Sequence, residues 1–280
     1  MFVCRTISEV RQQRLAETGA SWGLVPTMGF LHDGHLSLIR AAKAENDRVA
    51  VSIYVNPTQF GPQDDFDSYP RDLERDLAIL REAGVDLTFT PTDSVMYPAA
   101  FETAVSLQYL TNRLEGAARP KHFQGVTTVV TKLFNIIQPH RAYFGQKDAQ
   151  QTIVLDRMIK DLNFDVEMIV CPTVREADGL ALSSRNKYLS PAEREAATVL
   201  YRALQAAEAA YQEGERRGQP LRSLMREIIA AEPMAKLEYV SVANPETLFE
   251  LEELAGNILL SLAVRVGKTR LIDNIPVIAQ

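Results

Sequence analysis

Apolar positions along the first part of the chain fall into two alternating textures. Short runs such as "WGLVPT", "RVAVSIYVN", "VDLTFTP", "RAYFG" and "FDVEMIVCPTV" are strand-sized and rich in β-branched and aromatic residues. Between them, residues 36–45, 71–82, "VTTVVTKLFNIIQ" and 148–161 repeat apolar side chains at helical spacing. This alternation predicts βα units, hence a mostly parallel, doubly wound α/β sheet with helices on both faces. Ligands of such a sheet bind beyond the carboxyl ends of its strands, where "PTMG", "YVNPTQF", "YFGQKD" and "CPTVRE" fall.

After residue 173 the texture changes. "LSPAEREAATVLYRALQAAEAAYQEG" opens with a capping box, Ser190 and Glu193, with Pro191 at the first helical position, and predicts one long amphipathic helix. A second helix is expected near 220–231, followed by "KLEYVSVAN" and "GNILLSLAVRVGKTRLIDNI" as adjacent antiparallel strands. The expected organisation is therefore a domain over 1–173 and a smaller α+β domain over 174–280, divided by pattern rather than by a linker.

The 280 residues, 46% of them hydrophobic, suffice for packed cores of this size. Two lone cysteines make no disulfide framework, and the opening "MFVCRTISEVRQQRLAE" reads as a charged amphipathic helix rather than a signal region. The longest apolar runs are far short of a membrane span. A cytoplasmic protein without membrane attachment is the expectation. The net charge of −6 argues against nucleic-acid binding, which calls for a basic face. A small anionic substrate would then need a local cluster of cations.

The segment "PTMGFLHDGH" is the most informative. It sets His32 and His35 three apart, with Gly34 beside the second, where a strand turns into a helix. A helix N-terminus offers N–H groups and partial positive charge to phosphate oxygens, and Gly34 lets a flat nucleotide approach the backbone. The arrangement resembles the HxGH signature of the nucleotidyltransferase superfamily. By itself it describes a helix cap with an exposed neighbour equally well. Zinc is disfavoured because a site needs three or four ligands, and only His122 and His140 remain, with Cys4 and Cys171 far apart.

Further groups suit an anion or a hydroxy acid. "YFGQKDAQQ" places Lys147 and Gln151 four apart, on one helical face, with the lysine at a helix start where an anion would explain it. "LALSSRN" supplies the hydroxyls of Ser183 and Ser184 and the fork of Arg185. "RPKHFQGV" adds Arg119 and His122 before a helix. Gln59 and Gln151 are amides able to donate to a carboxylate and accept from a hydroxyl. Residues 58–72 read as a surface loop or, more sharply, a lid. Taken singly, each is most often an ordinary surface residue.

Together, "PTMGFLHDGH", "YVNPTQF", "RPKHFQGV", "FGQKDAQQ", "VREADGLALSSRN" and "TRLIDN" closely resemble, in order and over nearly the whole chain, the pantoate–β-alanine ligase (pantothenate synthetase) family. The resemblance implies a Rossmann-like ATP-binding domain, a smaller C-terminal domain covering the cleft, and a homodimer. It implies attack of the pantoate carboxylate on the α-phosphorus of Mg-ATP, then of β-alanine on the resulting pantoyl adenylate. Met28, Gly29, Phe30, Leu31, His32, Asp33, Gly34 and His35 would hold ATP, with Gly145, Gln146, Lys147, Asp148, Val174, Leu182, Ser183, Ser184 and Arg185. His32, His35, Lys147 and Arg185 would stabilise charge. Gln59 and Gln151 would hold pantoate, with Gln59 close to β-alanine. Gln146 stands where the family commonly has glutamate. Mg²⁺ is expected on phosphate oxygens and water, with Asp72 or Asp76 as outer contacts. The rivals are another HxGH adenylyltransferase, an aminoacyl-tRNA synthetase, which would need a tRNA surface and a lysine-rich loop in place of "LSSRN", and a non-catalytic nucleotide-binding regulator.

Overall fold

A computed structural model describes residues 1–62 and 64–279. In chain order the strands are β1 (Phe2–Cys4), β2 (Trp22–Thr27), β3 (Arg48–Ile53), β4 (Leu87–Phe89), β5 (Arg141–Gly145), β6 (Glu167–Cys171), β7 (Ala235–Ala243), β8 (Ile258–Val266) and β9 (Thr269–Val277). The helices are α1 (Ile7–Ala16), α2 (Asp33–Glu45), α3 (Leu73–Glu82), α4 (Asp93–Met96), α5 (Leu114–Ala118), α6 (His122–Ile137), α7 (Ala149–Asp161), α8 (Pro191–Ala196), α9 (Val199–Gln212) and α10 (Gly218–Ala230). The chain divides into two compact units, Met1–Gly145 with Val154–Pro172, and Gln146–Ile153 with Thr173–Gln280. The short segment 146–153 thus groups with the C-terminal part, whereas the sequence pattern alone leaves it in the N-terminal domain.

In the first unit, β1 to β6 form one parallel sheet in the order β1-β4-β3-β2-β5-β6. The period-two pattern of β2 explains why both faces are covered. Trp22 and Leu24 join a core with residues of α1, α6 and α7, while Val25 joins another with residues of α2 and α3. Strand order reverses at β2, which has β3 on one side and β5 on the other. The crevice of such a sheet opens there, past Thr27 and Gly145.

In the second unit β7, β8 and β9 form an antiparallel sheet. Val240, Val242, Leu260, Leu262 and Leu271 face Leu200, Leu204, Met225 and Ile229 of α9 and α10 across one core. The expected capping box of Ser190 and Glu193, with Pro191 at the first position, is present.

Three details differ from the pattern-based expectation. The long helix is broken into α8 and α9 at Ala197 and Thr198, where the Thr198 hydroxyl donates to the Glu195 carbonyl and competes with the backbone ladder. The opening segment is a strand followed by a helix that begins only at Ile7, after the Thr6–Glu9 capping box. Helix α6 starts at His122 rather than after it. No helix among the described residues is long and apolar enough to cross a membrane.

Candidate active site

The loop after β2 is shaped by one buried carboxylate. Gly29 has φ +80, and a Cβ there would lie 2.9 Å from Asp76 Oδ2, so only glycine fits without displacement. Phe30 follows at φ 50, a left-handed conformation costly for a bulky residue. Asp76 of α3, 1% exposed, holds it: Phe30 N–H donates to Oδ2 at 2.7 Å and Leu31 N–H to Oδ1 at 2.8 Å. Arg75 closes the clamp, donating to the Leu31 carbonyl at 3.0 Å with its guanidinium 5.2 Å from the centre of the Phe30 ring. Asp72 caps α3 by accepting from Arg75 N–H. Both aspartates expected as outer metal contacts are thus engaged with backbone donors.

That loop delivers the two histidines onto the first turn of α2. His32 is the N-cap, its Nδ1 accepting from Gly34 N–H at 3.2 Å, and His35 Nδ1 accepts in turn from His32 N–H at 3.3 Å. The rings lie 4.1 Å apart between centroids. This is a capping box built from histidines. Because Nδ1 accepts in both rings, the neutral tautomer carries its proton on Nε2, which makes each a donor at a helix N-terminus. Met28 precedes the loop, its Sδ accepting from Gln59 Nε2 at 3.2 Å, while Asp33 and Gly34 form the opening of α2.

Gln59 ends a 3₁₀ turn, Pro57–Gln59, that Asn56 caps. Asn56 is buried and donates from Nδ2 to Gln59 Oε1 at 3.1 Å and to the Gly125 carbonyl at 3.1 Å, while Tyr97 donates to its Oδ1 at 2.8 Å. A Cβ on Gly125 would lie 2.5 Å from the Thr58 carbonyl carbon and 2.6 Å from Gln59 Cα, so glycine lets α6 touch this turn. His122 Nδ1–H donates to the Gln59 carbonyl at 2.8 Å. Arg119, expected as an anion ligand, instead pairs with Asp64 at 2.9 Å. Burial alone would raise the Asp64 carboxyl, but the Gly61 N–H and the Arg119 guanidinium together hold it below the usual range. Within the expected lid, residues 58–72, Phe60 packs edge-on against Phe66 and Tyr69. Gln63 lies outside the described residues.

The second unit holds the remaining expected residues. Lys147 sits in a 3₁₀ turn, Gln146–Asp148, ahead of α7 rather than on the helix, and its Nζ is 3.7 Å from Asp148 Oδ1. Gln151 is half-buried in the first turn of α7. Gly145, the last residue of β5, leads into the turn from the first unit. Asn274 of β9 grips that turn. Its Nδ2 donates to the carbonyls of Gln146 at 3.0 Å and Lys147 at 2.9 Å, and its Oδ1 accepts from Gln146 Nε2 at 3.0 Å. Leu182 N–H donates to the Val174 carbonyl at 3.0 Å, so these two residues close a hairpin. Ser183 caps the short turn Ser184–Tyr188 by accepting from Arg185 N–H.

Asn56, Arg175, Asp273 and Asn274 were not singled out as site residues by the sequence, and Asp76 was expected only near a metal, not as the clamp of a loop. The signal for Asn56 was present, an asparagine directly before Pro57 at a strand end. Asp76 and Asn274 act from distant elements, so their partners left no local trace. Among the described residues no group of three or more His, Cys, Asp or Glu is placed to hold a metal ion.

A family model described as pantoate-beta-alanine ligase matches residues 2–276. A pantothenate synthetase of Roseiflexus castenholzii is 60% identical over 274 residues, covering 98% of each chain. The crystal structure of the pantothenate synthetase of Thermus thermophilus superposes with a TM-score of 0.94 at 48% identity, over 98% of this chain and 99% of that one. A pantoate-beta-alanine ligase from Francisella tularensis, complexed with beta-gamma ATP and beta-alanine, gives a TM-score of 0.81 at 37% identity, over 99% of this chain and 97% of that one. With a family model matched over nearly its whole length and relatives up to 60% identical, the chain belongs to the pantoate–β-alanine ligase family of enzymes.

Proposed function

We propose that the enzyme joins pantoate to β-alanine in two steps through a pantoyl adenylate. A carboxylate oxygen of pantoate attacks the α-phosphorus of ATP, the bond from that phosphorus to the bridging oxygen breaks, and pyrophosphate leaves. The β-alanine nitrogen then attacks the acyl carbon, the bond to AMP breaks, and the amine loses a proton. Such chemistry needs positioning and charge stabilisation rather than a protein nucleophile.

The histidine pair supports this reading most. Two Nε2–H donors at the N-terminus of α2 suit phosphate oxygens, aided by the helix dipole. In this reading Lys147 and Arg185 balance charge on the triphosphate, with Gly145, Gln146, Asp148, Val174, Leu182, Ser183 and Ser184 lining the nucleotide. Gln59 and Gln151 hold pantoate. When bound, Mg²⁺ would supply charge neutralisation on the phosphates, and with no group of three or more His, Cys, Asp or Glu placed to hold it among the described residues, phosphate oxygens and water would carry it. Residues 58–72 act as the lid that keeps water from the adenylate. A cytoplasmic homodimer completes the reading, and analytical ultracentrifugation tests the dimer.

The deciding experiment supplies ATP and pantoate without β-alanine. About one pyrophosphate per site is expected in a burst, followed by slow hydrolysis, because the adenylate is shielded. Adding β-alanine should release AMP and pantothenate. Gln59→Ala and Gln151→Ala should weaken use of pantoate far more than binding of ATP. Pyrophosphate that appears only with β-alanine, or ADP in place of AMP, overturns the adenylate route.

A further inference from the structure

Asp273 and Asn274 are adjacent, each 3% exposed, and polar in the middle of β9 between Leu271, Ile272, Ile275 and Pro276. Burying two such groups is costly unless both are satisfied, and here both are. Successive residues of a strand face opposite sides, so the two reach different partners. Asp273 accepts a two-pronged bond from Arg175, Nη1 to Oδ2 at 2.6 Å and Nη2 to Oδ1 at 3.0 Å. Arg175 also donates to the Gly179 carbonyl at 3.1 Å and stacks 4.0 Å from the centre of the Tyr201 ring of α9. Asn274 takes the other direction, to the two carbonyls and the side chain at Gln146–Lys147. The dipeptide is further tied by Asn274 N–H donating to Asp273 Oδ1 at 2.8 Å.

We infer that Asn274 is a positioning residue that sets where the Lys147 ammonium stands, through the backbone of the Gln146–Lys147 turn, with the Arg175–Asp273 pair anchoring it. A 3₁₀ turn of three residues has little hydrogen bonding of its own to resist rotation. Two donors from one planar amide onto consecutive carbonyls supply that resistance. Gln146 completes the orientation, because an amide Nε2–H matches Asn274 Oδ1 and leaves Nδ2 aimed at the backbone. The inference rests on the role proposed above for Lys147 in adenylate formation.

The test is a double-mutant cycle read by the pyrophosphate burst with ATP and pantoate. Lys147→Ala alone tests the underlying reading, and normal burst kinetics in that variant overturn it and the inference with it. Asn274→Ala, and Asn274→Asp, which keeps the size but loses both donors, should each slow the burst about tenfold to a hundredfold, as misplacement of a catalytic group does. Asn274→Gln, which keeps the primary amide on a stem one methylene longer, should recover part of that loss. In the Lys147→Ala background the Asn274 substitutions should cost almost nothing more, because their effect travels through the lysine. Thermal melting run in parallel identifies which variants are folded, and the cycle uses those. An unchanged burst in any folded variant lacking both donors, or losses that multiply in the double variants, overturns the inference.

Discussion

The histidine pair and the lysine turn belong to different units and are held in opposite ways. His32 and His35 orient one another across three residues, within the capping box that they themselves form at the start of α2. The Lys147 turn, between β5 and α7, is gripped instead by a residue 127 positions further along the chain. The first arrangement survives as long as α2 does. The second depends on β9 docking correctly, so its geometry inherits the stability of a whole sheet. Between these extremes stands the β2 loop, whose strained Phe30 is locked by Asp76, a buried carboxylate 46 positions away.

Substitutions should separate these cases, beginning with the largest effect. Arg175→Ala leaves the Asp273 carboxylate buried and unpaired and should destabilise the protein by about 3–5 kcal/mol, measured by denaturant unfolding. A loss below about 1 kcal/mol would mean that the anchor is peripheral and break the contrast. His35→Ala should instead leave stability nearly intact while lowering the rate of pyrophosphate release about a hundredfold, the usual cost of a preorganised donor. Near-normal release by the folded variant would remove the histidines from catalysis.

Asp76→Asn comes next. One carboxylate oxygen becomes an NH₂ facing a buried N–H, which should cost about 1–3 kcal/mol and loosen the loop before α2. Calorimetry and ATP titration together should register both. The smallest effect concerns Asp64, whose carboxyl is held low by Gly61 and Arg119 against its burial. A depressed folded value means that its contribution is complete above the ordinary aspartate range, about 3.9, and is lost as pH falls below it. Asp64→Asn should therefore cost about 1 kcal/mol or less at neutral pH and flatten the acid limb of stability.

The same contrast explains what was readable beforehand. Alternating texture gave the parallel sheet, because βα units write their period into consecutive residues. The Ser190–Pro191–Glu193 start was legible for the same reason, since every partner lies within one turn. His32 and His35 were legible as a pair, though not as mutual acceptors, because a cap of histidines has no common signature. The helix break at Ala197 and Thr198 was hidden, as both residues are compatible with a helix and the Thr198 hydroxyl bond that accompanies the break leaves no pattern in the sequence. Asn274, Arg175 and Asp273 were hidden more deeply. Their roles exist only after β9 and the hairpin at 174–182 have met, and nothing near them in sequence records that meeting.

The pairing of β8 with β9 has a consequence for quality control. Leu271 and Val277 of β9 lie in the same core as α9 and α10, and the register sets Ser261 opposite Asn274 and Leu262 opposite Asp273. A slip of one residue would exchange the two sides of the strand, turning the amide toward the helices and Leu271, Ile275 and Val277 toward the Lys147 turn. It would also strip those apolar side chains from the core. Burial of ordinary hydrophobic residues therefore also fixes the register of the polar device beside them. A misassembled molecule betrays itself by low stability before it can persist as a folded but inactive enzyme.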